Sequence, residues 1–174
     1  EKQNEELQKR VEELLLSQAT TTNNITQNIE TQQNIHIHIN AFGQENRDYL
    51  DNKTIEACLD KIYKSVPAII EKLHFDPEHP ENHNIKITNR KLPYASVMGE
   101  NQKWKMVDKK NAIEDMVNNG FNILDEKYPE MKSNMSERRQ SHFEGFQERF
   151  FNEDKELHKQ VKTEVELLVL NGST

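Results

Sequence analysis

Five of the seven histidines in this 174-residue chain fall into two groups, and they offer the most chemistry in it. His36 and His38 lie two apart in Gln33-Asn34-Ile35-His36-Ile37-His38-Ile39-Asn40. On a β-strand, residues two apart share a face, and His-x-His is a common spacing for metal ligands there. No acidic third ligand stands next to them, so a polar strand face covered by a helix or by solvent explains the same pattern. The second group is His74, His79 and His83, set among Asp76, Glu78, Glu81 and Asn84. Histidines with carboxylates and an asparagine are the components of a metal-dependent nuclease or hydrolase. Their spacing matches no such site, and there is no cysteine knuckle. The competing reading is that they hydrogen-bond the loop that carries them. Trp104 with Tyr94 offers an aromatic platform for peptide or base stacking, or a piece of core. There is no Gly-rich phosphate loop, no Ser-His-Asp order and no nucleophile elbow. The reading is therefore of a non-enzyme with no cofactor, no catalytic residue and no metal, the nearest metal candidates being His36, His38 and His74.

Composition narrows the partners. A net charge of −7, with cations interleaved with acids along the chain, is a poor match for a phosphate backbone. No apolar run approaches the length of a membrane span, so no membrane partner is expected. The single cysteine, Cys58, sits at helical spacing among Ile55, Leu59 and Ile62 and reads as a buried thiol. It allows no disulfide within one chain, which fits a reducing, intracellular setting. The chain begins at Glu1 inside a helix-like pattern, so an upstream region is expected.

The elements that would position these residues follow from periodicity. Leu7, Val11 and Leu14 form an a/d seam, continued in register by Gln18 and Thr21, with charged residues on the other faces. So short a helix is marginal alone, which predicts self-association, a dimer before a trimer. Residues 1–33 are therefore an oligomerisation helix with a Thr-, Asn- and Gln-rich linker. Alternation predicts strands over 34–40, 85–89, 94–98 and 103–107. Helices are predicted over 53–65, with Asn52 as N-cap, and to Leu73 after a break at Pro67, with Ser65 as cap. A further helix runs from Lys109 to about Lys127, ended by Pro129, and one long helix from Ser136 to Leu170. The class is α+β: a small antiparallel sheet of about four strands with packed helices. Its domains are 34–130 and a C-terminal helix, 131–174, packed on it or on a neighbouring subunit.

Two stretches carry a resemblance. Ile37-His38-Ile39-Asn40-Ala41-Phe42-Gly43-Gln44-Glu45-Asn46 and Phe75-Asp76-Pro77-Glu78-His79-Pro80-Glu81-Asn82-His83-Asn84-Ile85-Lys86-Ile87-Thr88-Asn89, followed by Lys103-Trp104, resemble a module of giant DNA viruses. In those proteins a Cys2His2 zinc finger and a coiled coil come first. The similarity covers about residues 35–128, and the Asn- and Lys-rich composition agrees with it. It implies a viral protein of the host cytoplasm, its viral factories, or the virion. Nucleic acid would be bound only through the missing upstream finger, and no catalytic residue is implied. The expected function is a non-enzymatic oligomerisation and interaction module. Leu7, Val11 and Leu14 would form the seam. His79, Glu81, Asn82, His83, Asn84 and Trp104 would form the surface for an unknown protein partner.

Overall fold

The computed structural model describes residues 6–16 and 36–173, and the chain divides after Ile37 into two units. In the first unit, residues 6–16 form helix α1. Its seam residues Leu7, Val11 and Leu14 are 62, 51 and 62% exposed. The continuation of the seam through Gln18 and Thr21, and the linker over 19–34, lie outside the described residues.

The second unit is α+β. Its elements are α2 (Asn52–Leu59), α3 (Ser65–His74), β1 (Ile85–Lys86), β2 (Tyr94–Met98), β3 (Trp104–Asp108), α4 (Lys109–Met131), α5 (Glu137–Phe151) and α6 (Lys155–Gly172). The sheet is antiparallel in the order β1-β2-β3, with Ile85 opposite Val97 and Ser96 opposite Met106. Ile85, Ala95 and Val97 face one way and join the core formed by the helices. The centre of that core is aromatic. Phe143 and Phe146 are fully buried, and the Phe121 ring stacks on Phe150 with centroids 3.9 Å apart. Residues 131–173 thus belong to the same core as the segment before them.

Several expectations are corrected. The described sheet has three strands, not four. Residues 36–40 form no strand, because their backbone bonds go to scattered partners and build no ladder. Asn40 N–H donates to Glu81 O and Phe42 N–H to Met98 O, while Ile39 exchanges bonds with the Gln102 side chain. The helix over 53–65 stops at Leu59 and is capped by Asp51, not Asn52. Ile62 takes φ 51°, which breaks the helical path after Leu59, and Pro67 fixes where the next helix can start. The proline's missing N–H and bulky ring are tolerated only in the first turn of a helix, so the chain restarts at Ser65 after a short 3-10 turn, Ile62–Lys64. The Ser65 hydroxyl does not cap; it is buried with no hydrogen-bond partner among the described residues. Pro129 does not end α4, which runs on to Met131. Tyr128 and Met131 are both buried, and that packing holds the last turn against the lost hydrogen bond. The long C-terminal helix is two helices. Asn152-Glu153-Asp154 interrupts the apolar stripe, Glu153 takes φ 54°, and Asp154 accepts from Leu157 N–H to cap α6. The turn lets both halves face the same core.

Helices α3 and α4 cross closely at Gly120. A Cβ there would stand 3.1 Å from Ile70 Cγ1 and 3.3 Å from Ile69 Cγ2. Gly120→Val should therefore lower stability by about 1–3 kcal/mol through overpacking. Urea unfolding measures this, and an unchanged midpoint would show that the crossing has room to spare.

Candidate functional site

The histidine loop and the preceding segment 39–49 meet at two buried asparagines. The loop leaves α3, makes a 3-10 turn at Pro80–Asn82 and enters β1. Two prolines and the run of polar residues keep it out of helix and strand, so its backbone groups need side-chain partners. Asn82 and Asn84 supply them, and both are 0% exposed.

Asn82 uses its whole amide. Its Nδ2 donates to Asn46 O at 2.7 Å and to the Tyr49 hydroxyl at 3.2 Å. Its Oδ1 accepts from Asn40 Nδ2 and from Asn46 N–H, each at 2.9 Å. Asn84 Nδ2 donates to Asn40 O at 3.2 Å and to Glu45 Oε1 at 2.9 Å. Since that nitrogen donates, Asn84 Oδ1 must accept, and the atom 2.9 Å away is His74 Nδ1. The proton of neutral His74 therefore sits on Nδ1. Gly43 makes the approach possible: at φ 91° it turns the chain so that its N–H donates to Glu45 Oε1 at 2.8 Å.

Each loop histidine has a different partner. His74 is 1% exposed and bonded to Asn84. His79 donates from Nδ1 to Glu81 Oε1 at 3.0 Å, and its ring stacks on Tyr49 with centroids 3.5 Å apart. His83 donates from Nε2 to the Asp76 carbonyl at 2.7 Å. Among the described residues, no group of three His, Cys, Asp or Glu side chains could hold a metal ion. His36 and His38 are exposed on a segment without strand structure, so they do not share a strand face. Cys58 is buried, and burial pushes its thiol pKa up, away from reactivity.

The expected interaction surface is corrected in part. Asn82 and Asn84 lie inside and present no side-chain atom to a partner. His79, Glu81 and His83 are partly buried, all three hydrogen-bonded within the loop or to segment 39–49. Trp104 is on the open face of the sheet at 37% exposure, with Lys86 Nζ 4.2 Å from its ring centroid. Sequence reasoning did not assign roles to Asn40, Glu45, Asn46 and Tyr49. The available signal for Asn40, Glu45 and Asn46 was the density of Asn and Glu over residues 40–46 and 78–84.

The chain matches no family model, no curated protein and no solved structure.

Two predictions follow from the hub. Asn84→Ala leaves the His74 Nδ1–H and the Asn40 carbonyl without their partner in a dry site and should cost about 3 kcal/mol. An unfolding midpoint within error of the parent would show that water replaces the amide.

The second concerns pH. Burial holds the His74 pKa below the ordinary histidine value, against the Glu45 carboxylate and the Asn84 bond, which pull it up, and with His83 adding to the depression. The unfolded chain then binds the proton first as pH falls, near pH 6.5. Stability that depends on neutral His74 is complete above about pH 6.5 and drains away below it, until the folded pKa is passed. Urea midpoints from pH 7.5 to 5 should fall, with a shallower fall in His74→Gln. Parallel curves for the two proteins would remove His74 from the account.

Proposed function

We propose that this protein is a non-enzymatic interaction module that self-associates through α1 and presents the folded α+β unit to a partner. The observation that carries the reading is the exposed apolar row on α1. Leu7 and Val11 lie on one side of an eleven-residue helix with more than half of each side chain exposed. A helix this short is not stable in water by itself, and a second copy of the same helix would bury the row. A dimer is the smallest assembly that does so. On the resemblance to the giant-virus module, the setting is a larger viral protein of the host cytoplasm or virion, with nucleic acid held through an upstream region.

The loop histidines support this reading over a metal-dependent hydrolase. His74, His79 and His83 each make a hydrogen bond that fixes backbone or buries a polar group, and no two of them share a partner. Their role is to order the loop that clips segment 39–49 onto β1.

Light scattering at micromolar concentration should give a dimer mass, and Leu7→Asp with Val11→Asp should convert it to monomer without loss of the folded unit's melting transition. A monomer mass for the parent chain would end the proposal. His83→Ala should lower the melting temperature by a few degrees, because the Asp76 carbonyl loses its donor. If stability held and a measurable hydrolytic activity vanished instead, the hydrolase reading would take its place.

A further inference from the structure

The face of the sheet turned away from the helices carries an unusual set of side chains. By the pleat and the register, Lys86 on β1, Tyr94, Ser96 and Met98 on β2, and Trp104, Met106 and Asp108 on β3 share it. Tyr94 is 52% exposed and Met106 67%. No helix of the unit covers them.

The charge around this face is opposite to that of the chain. The sheet segment 85–108 holds five cations, Lys86, Arg90, Lys91, Lys103 and Lys105, and two acids, Glu100 and Asp108, in a protein of net charge −7. By the register Lys105 lies on the helix side, and Asp108, opposite Tyr94, is engaged in capping α4 through Asn111 N–H. None of the five forms an ion pair among the described residues, whereas Glu100 is turned aside and accepts from Gln44 Nε2. The fold sets Arg90 and Lys91 in the β1–β2 loop and Lys103 in the β2–β3 turn, at opposite ends of β2. Cations thus stand at both ends of a strip about 13 Å long, taking roughly 3.3 Å per residue along β2, with Tyr94 at one end and Trp104 at the other.

We propose that this face binds single-stranded nucleic acid. Bases stack on Tyr94 and Trp104, and phosphates take Lys86, Lys103 and the Arg90-Lys91 pair. Aromatic rings on an open sheet flanked by cations are what a single strand requires, because each base offers a π-face and each link a phosphate. A duplex hides its bases and cannot use the rings. The Lys86 ammonium over Trp104 serves both ends of the contact: an entering base displaces it from the ring toward the strand's own phosphate. An acidic peptide would satisfy the cations but gains nothing from the rings, which makes it the weaker fit. The proposal rests on the reading of the folded unit as an interaction surface, and not on self-association through α1.

Trp104 is the only tryptophan, so its fluorescence reports this face alone. The full chain is titrated with unlabelled dT15, with a 15-base-pair duplex and with a poly-glutamate peptide, each at 50 and 200 mM salt. The expected result is saturable quenching by dT15, weaker binding of the duplex, and no quenching by the peptide. Three phosphate contacts give a log–log salt slope of about −2, so affinity should fall roughly 20-fold across that range. Tyr94→Ala, at an exposed position, should weaken dT15 binding at least about fivefold with the melting temperature unchanged. Lys86→Glu should weaken it and flatten the salt slope. Quenching by the peptide alone would overturn the nucleic-acid assignment while keeping the surface. Equal affinity for duplex and dT15, or no quenching by either, would overturn the proposal. The mass measurement on α1 is independent, so failure there is told apart from failure here.

Discussion

Two amide side chains out of contact with water, Asn82 and Asn84, constrain everything around them. A buried amide must find hydrogen-bond partners inside the protein, or its desolvation is a net loss. Here the partners come from sequence 33 or more residues away and from the end of α3. The segment 39–49 has no regular structure of its own to hold it in place. The asparagines hold it instead, and with it Tyr49, whose hydroxyl donates to the carbonyls of Lys72 and Leu73 at the end of α3. The same hub feeds the sheet, since Met98 N–H donates to Asn84 O and so sets the start of β1 against the end of β2. Loop, segment and sheet are one cooperative polar unit, in which each bond is stronger for being dry and each loss more damaging.

The apolar core works on a different principle. It is non-directional and depends on volume. The phenylalanines of α5 meet Phe121 of α4, and α6 closes the other side through Leu157, Val161, Val165 and Val169 at intervals of four. The two principles meet at α3. One side carries Ile69, Ile70 and Leu73 into the core, and its last residue, His74, belongs to the polar hub. Burial that favours the core is also what keeps His74 neutral.

What remains outside is informative because the inside is so fully used. The sheet's helix-facing side is apolar and covered. Its other side is aromatic, half-exposed and cationic at both ends. Edge strand β3 carries Lys105 and follows directly on Lys103, which also discourages pairing with another strand. Lys103 can therefore protect an edge and also receive an anionic strand.

Local rules decided a good part of this in the sequence. The 3.6-residue stripe of α4, the alternation in β2 and β3, and the α+β class follow from nearest-neighbour periodicity and from short turns, which need no distant partner. The breaks were less visible. The turn at Ile62 before Pro67 and the polar triplet at 152–154 stop helices only because of where the flanking apolar faces must point, whereas Pro129 fails to stop one because Tyr128 and Met131 are held from outside. The alternation of Ile35, Ile37 and Ile39 suggested a strand, but a strand exists only where a neighbour completes the ladder, and residues 36–40 have none. Sequence spacing assembled the histidines into a group; tertiary structure dispersed them, because direction and burial, not proximity in the chain, decide which atoms meet. It also turned Asn82 and Asn84 from surface residues into the most buried polar groups of the loop. The Arg90-Lys91 pair and Lys103 came to flank one sheet face only when the turns at 87–93 and 99–103 folded to opposite ends of the same strand.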